Sequence, residues 1–159
     1  MREIENEPRN NFRRSWDGYN NVGICTAAIA SVLNHRQTLA LPKVLLVMPL
    51  MMHGPTVSFM GNGHTRRREA AAFATSHPEF IANFNDRFES SLVVSVNAIQ
   101  LLIHLGHAEL KDHLVLTTPM NIDKSFGTRA LRIDKASEKV AALLDSPVNE
   151  LYLNFRIQL

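Results

Sequence analysis

The residues whose types and spacing come nearest to a chemical site are three histidines beside two acids. His104 and His107 stand three apart, and Glu109, Asp112 and His113 follow. Zinc accepts imidazole and carboxylate ligands, and an i, i+3 pair shares one helical face. Gly106 interrupts this pair, because a glycine there ends a helix and turns His107 away from His104. No cysteine pair supplies further ligands, and the seven histidines scatter over the whole chain. A metal site is not expected. Cys25, the single cysteine, lies in an apolar run with Ala27, Ala28 and Ile29. A reactive thiol needs an electropositive, partly exposed setting, so packing is its expected role. Gly61-Asn62-Gly63 follows no clear strand and precedes no Gly-Lys-Ser/Thr, so nucleotide binding is not expected. There is no Gly-x-Ser-x-Gly, no His-Glu-x-x-His and no paired acids in a glycine-rich loop. The sequence reads as a non-enzymatic module without cofactor or metal.

Two groups of residues look suited to binding. Arg66, Arg67 and Arg68 are the densest positive charge in the chain. On a helix three adjacent arginines point three ways. They read either as a solvated helix start beside Glu69 or as a contact for nucleic acid or an acidic partner. Trp16 and Tyr19 follow a charged leader. They either cap the core or contact a partner, since Trp, Tyr and Arg dominate interface energetics.

The stretch Leu41 to His53 must hold these groups in place. Lys43 is its one full charge, and it shows no polar face. It is expected to be a helix buried on most sides, about 20 Å long, and too short to cross a bilayer. Pro42 suits a first turn. Pro49 predicts a kink or break at Met48–Pro49, and Gly54-Pro55 an end. Upstream, Asn20 or Asn21 is a cap for a helix running to about His35. Downstream, helices are expected from Arg67 to Ser76, from Pro78 through the stripe Phe80, Ile81, Phe84 and Phe88, and from Leu92 to Leu105, the last opened by Ser90-Ser91 and closed by Gly106. A short apolar step, a polar turn and the β-branched run Leu114–Thr118 then predict a hairpin near Leu110–Thr118. Residues 119–128 read as a loop. Arg129–Leu144 reads as a basic, amphipathic helix. Val148 to Ile157 fits helix and strand patterns nearly equally.

The chain has 159 residues, 45% hydrophobic, with net charge +2. One domain of ordinary size is expected. Near-neutral charge gives no strong drive toward nucleic acid or membrane. One cysteine, no apolar h-region and no membrane-spanning run lead to the expectation of a cytoplasmic protein. Residues 1–16 are charged, with few apolar groups, and are expected to be a flexible tail. Residues 17–159 then form the folded domain. A long core helix, a glycine and a hairpin are the order of a winged helix. The expected fold class is α+β, mainly α: a winged-helix-like domain with a small β-hairpin.

One resemblance sharpens this reading. Leu41-Pro42, the apolar run, Met48-Pro49-Leu50, Met52-His53, then His77-Pro78-Glu79-Phe80 with Phe84, and the Leu92–Leu105 helix with Gly106 resemble the middle component of bacterial three-component ABC-ATPase systems, Lamassu-type anti-phage systems among them. Asn21-Val22-Gly23 stands where that family has Asn-Pro-Ala. The resemblance implies a non-catalytic accessory or adaptor subunit. It would link an SMC/Rad50-like ABC ATPase to a nuclease-type effector and meet DNA through the complex, with no membrane contact. The alternative is a stand-alone winged-helix DNA-binding regulator. Its recognition helix would need Arg, Lys, Asn or Gln along the exposed side, and Leu92–Leu105 contains no Arg or Lys.

Overall fold

The computed structural model describes residues 10–159, with side chains from residue 21 onward. Its centre is α2 (Leu41–Met51), in which Val44, Leu46, Val47, Met48, Pro49, Leu50 and Met51 are all buried. Pro42 occupies its first turn. The predicted break at Met48–Pro49 is absent. Pro49 removes only its own N–H, in the last turn, and the Met52 N–H still donates to the Met48 carbonyl at 2.8 Å. The chain breaks later, at Met52–His53, and bends by 102° into α3 (Gly54–Met60). Gly54-Pro55 therefore opens a helix, with proline in a first turn where its missing donor costs nothing. Among the described residues no single helix is long and apolar enough to cross a membrane.

Two long helices and a third enclose α2. The first, α1 (Asn10–Arg36), starts earlier than its predicted cap, so Asn20 and Asn21 lie inside it. Of the predicted tail, residues 1–9 are outside the described residues, and from Asn10 the backbone is helical. Elongation adds a bond per residue once a helix exists, which carries α1 back through polar sequence. α1 packs on α2, α6 (Phe84–His104) and α7 (Thr128–Leu143). Ala27, Ala28, Ile29, Val32 and Leu33 are buried in these seams. Ser31 donates to Asp134 at 2.9 Å, and Arg36 donates to the Ala141 carbonyl at 3.2 Å.

The middle of the chain departs most from expectation. α4 (Ala70–Ser76) starts at Ala70, not Arg67. Glu69 is extended, and the Ala70 N–H donates to the Ser146 hydroxyl at 2.9 Å, which fixes the start. α5 (Pro78–Ile81) is a single turn, ended by Asn83 at φ +58°. α6 then runs unbroken through Ser90-Ser91, because Ser91 donates to the Phe88 carbonyl at 3.0 Å within the helix. Phe73, Phe84 and Phe155 are fully buried, and the last two rings lie 4.8 Å apart.

Arg87 ties these pieces together. It donates to the Pro49 carbonyl at 2.8 Å and to the Phe80 carbonyl, and its guanidinium lies 5.0 Å from the Phe84 ring centre. It thus joins the end of α2, α5 and the first turn of α6.

A three-stranded antiparallel sheet closes the fold, in the order β1 (Thr38–Leu39), β3 (Leu114–Leu116), β2 (Ala108–Leu110). The predicted hairpin is present, beginning earlier at Ala108, whereas β1 carried no sequence signal. Gly106, at φ +79°, turns the chain out of α6 into β2. A 3₁₀ turn at Lys124–Phe126 precedes α7. The final segment is helical, α8 (Val148–Asn154). The architecture is α+β and mainly helical.

Replacing Arg87 with Met leaves two carbonyls without their donor. Hydrogen bonds to a charged group contribute about 1.5–3 kcal/mol, so Arg87→Met should lower unfolding stability by about 2 kcal/mol. Urea denaturation measures this, and an unchanged midpoint would remove Arg87 from that role.

Candidate functional site

Of the three histidines near the hairpin, His107 is a structural latch, and His104 and His113 are exposed. His107 Nδ1 lies 2.8 Å from the Thr118 carbonyl, and Thr117 donates to the Gly106 carbonyl at 2.7 Å. Together they fasten the hairpin to the end of α6, while His104 points to solvent. Among the described residues no group of three or more His, Cys, Asp or Glu is placed to hold a metal ion. Cys25 is fully buried. Burial pushes its thiol up to about 12, against a smaller opposing pull from the Ser95 hydroxyl. It stays a thiol at neutral pH, which suits packing.

The three arginines lie on irregular backbone between the turn at Gly61–His64 and α4, not on a helix. They go to three environments. Arg66 is exposed. Arg67 pairs with Glu138 on α7, which holds that carboxyl below the usual range. Arg68 folds inward, with its guanidinium 6.0 Å from the Phe59 ring centre and a 3.1 Å hydrogen bond to Ser76. Phe59 also meets His77, 4.2 Å between ring centres, and His77 stacks on Phe80 at 5.0 Å. Of the three, Arg66 is the one that makes no hydrogen bond or ion pair among the described residues. The side chains of Trp16 and Tyr19 lie outside the described residues.

Sequence reasoning passed over the cleft between α3 and α7. Along α7, Arg129, Arg132, Lys135 and Lys139 fall on the side that meets α3 and the turn after it. Arg132 donates to the Ser58 hydroxyl at 3.0 Å, Arg129 to the Met52 sulfur, and Lys139 to the Asn62 carbonyl. The cleft encloses about 350 Å³ and is lined by Val57, Ser58, Gly61, Asn62, Gly63, Arg132 and Lys135. The Lys135 stem runs beside Gly61, where an added Cβ would sit 3.9 Å from it. The signal available was the basic, amphipathic pattern of this helix; what it faces was not readable. A second surface is the outer side of α6, where Val93 and Val96 are 71% and 47% exposed beside Asn97, Gln100 and His104.

His53, at the α2–α3 bend, bonds the Thr56 hydroxyl at 2.8 Å. Burial, and then the Arg87 charge, hold its pKa below the ordinary value. The folded chain thus favours the neutral ring. Its contribution to stability is full above about pH 6.5 and is lost as pH falls through the lower folded value. Thermal melts should show the midpoint dropping on acidification, and His53→Gln should flatten that dependence. An equal drop in the variant would assign it elsewhere. Among the arginines, Arg68→Ala should destabilise by about 1 kcal/mol and Arg66→Ala by much less; equal melting temperatures for the two would contradict this placement.

The chain was compared with known proteins. The model of the ABC-three component (ABC-3C) system Middle Component 3 family matches residues 19–159. No curated protein and no solved structure matches. The match takes in every element from the middle of α1 to the end of the chain, so this protein belongs to the ABC-three component system Middle Component 3 family.

Proposed function

We propose that this protein is a non-catalytic adaptor subunit. In this reading it joins an SMC/Rad50-like ABC ATPase to a nuclease-type effector in an anti-phage complex of the Lamassu type, and regulates the effector. The observation that carries the reading is the family match over residues 19–159. It is supported by the engagement of the candidate chemical groups in packing. Cys25 is buried, and His107 is bonded to backbone. The outer side of α6 supports it too. Exposed Val93 and Val96, with no cation among Asn97, Gln100 and His104, suit a protein surface better than a DNA groove. Trp16 and Tyr19 belong to the same proposal through residue type.

The winged-helix reading is likewise a proposal. Its support is the order α6, β2, β3, with β1 pairing beside β3. It favours a second function, a stand-alone DNA-binding regulator, less than the adaptor, because α6 lacks a basic outer row.

Affinity purification of the tagged chain, expressed from its native operon, separates the two. The adaptor reading expects the ATPase component to co-purify in stoichiometric amount, and Val93→Asp with Val96→Asp to abolish this without lowering the melting temperature. Recovery of the chain alone, with tight binding to one promoter fragment, would replace the adaptor with the regulator.

A further inference from the structure

We infer that the α3–α7 cleft binds the phosphate backbone of nucleic acid, independent of sequence. This does not depend on the adaptor reading. Arg129, Arg132, Lys135 and Lys139 follow one another at i, i+3, i+6 and i+10, which at 1.5 Å per residue makes a row about 15 Å long. The bonds that three of them make go to a sulfur, a hydroxyl and a carbonyl, all neutral groups. Those bonds fix the side chains in place and leave their charge uncompensated. The two acids of α7 offset it only in part. Glu138 pairs first with Arg67 and feels Lys139 more weakly, and Asp134 accepts from Ser31 on the side facing α1. The lining residues include no acid and add Ser58, Asn62 and Gly63, whose hydroxyl, amide and close backbone suit phosphate oxygens. Arg66 is exposed on the loop that follows the same turn.

A row of evenly spaced fixed cations fits a polyanion with evenly spaced charge. An acidic protein segment fits less well. Protein interfaces are held by apolar or aromatic anchors that fill pockets. The apolar groups beside this cleft, Val57, Met51 and Ile133, are already 95% or more buried in the core. Of the large apolar groups that reach solvent, Val93 and Val96 lie on α6, Leu110 on β2 and Leu153 on α8, while Phe126 stands before α7; none of these lines the cleft. α7 carries no Asn or Gln to pair with adenine, and a row of evenly spaced cations suits phosphate, which is the same in every sequence.

The test is fluorescence anisotropy of a labelled 20-base-pair duplex with the purified full chain, titrated across a range of potassium chloride. The parent should bind with a log–log salt slope of about −3 to −4, and two duplexes of unrelated sequence should bind alike. Arg132→Gln with Lys135→Gln should weaken binding about tenfold at low salt and reduce the slope by nearly two. The charge-keeping swap Arg132→Lys with Lys135→Arg should bind close to the parent, which separates lost charge from lost packing. Lys111→Gln with Arg156→Gln, on other surfaces, should change nothing. Parent-like binding by the Arg132/Lys135 double Gln variant would overturn the inference. So would equal weakening by the Lys111/Arg156 control, since binding would then be general surface charge. Loss of ATPase co-purification in the Arg132/Lys135 variant with unchanged duplex binding would also overturn it and give the cleft to an acidic protein. Co-purification that survives with duplex binding lost would uphold it and leave the adaptor reading intact.

Discussion

The structure depends on an eleven-residue helix whose last six residues, Leu46 to Met51, are all buried and leave no side there to turn to water. An amphipathic helix needs one layer of cover; α2 needs cover all round. α6, α1, α3 and, more lightly, α7 pack on it directly, and α7 also closes over α1 and α3. The 102° bend after Met51 follows from the same demand, since it folds α3 back against its own neighbour. Each fully buried Val, Leu or Met side chain contributes about 1.5–3 kcal/mol, so this one helix outweighs any polar contact described above. Arg87 then stands out as the cation that holds the end of α2 to the start of α6. Its charge meets the Pro49 carbonyl at the C-terminal end of α2, where a cation is favoured.

Much of the fold was legible because composition speaks plainly where burial is extreme. The charge-poor run from Val44 to Met51 declared α2. The Gly106 punctuation declared the end of α6 and the hairpin after it. Boundaries were harder where two signals compete. Pro49 reads as a breaker, but a proline in a last turn forfeits only one bond, and tertiary enclosure tolerates that. Ser90-Ser91 reads as a helix start, yet a serine whose hydroxyl returns to the preceding turn continues the helix. β1 was invisible for a different reason. A two-residue strand has no period, and it exists only because β3 offers an edge to pair with.

The candidate site was less legible, because charge in a sequence has no direction. Arg66, Arg67 and Arg68 look like one patch and are three separate groups. Off the helix, Arg67 goes out to Glu138 and Arg68 back to Phe59. The cations of α7 show the reverse. Scattered through the sequence with Asp134 and Glu138 between them, they sum to little. The helix sorts them, placing the acids against partners and the cations along one edge.

The polar bonds between α1 and the α7 region join residues 86 to 105 positions apart. Chain leaves a ribosome at about 5–20 residues per second. For several seconds, therefore, α1 and α2 have been made and their last cover has not. During that interval the most apolar stretch of the molecule has only α1 before it and α3 after it for cover. The bent α2–α3 pair serves here as a provisional core, self-burying on one side through local contacts that form early. The sharp turn at His53 thus keeps part of the cover of α2 within a few residues of it along the chain.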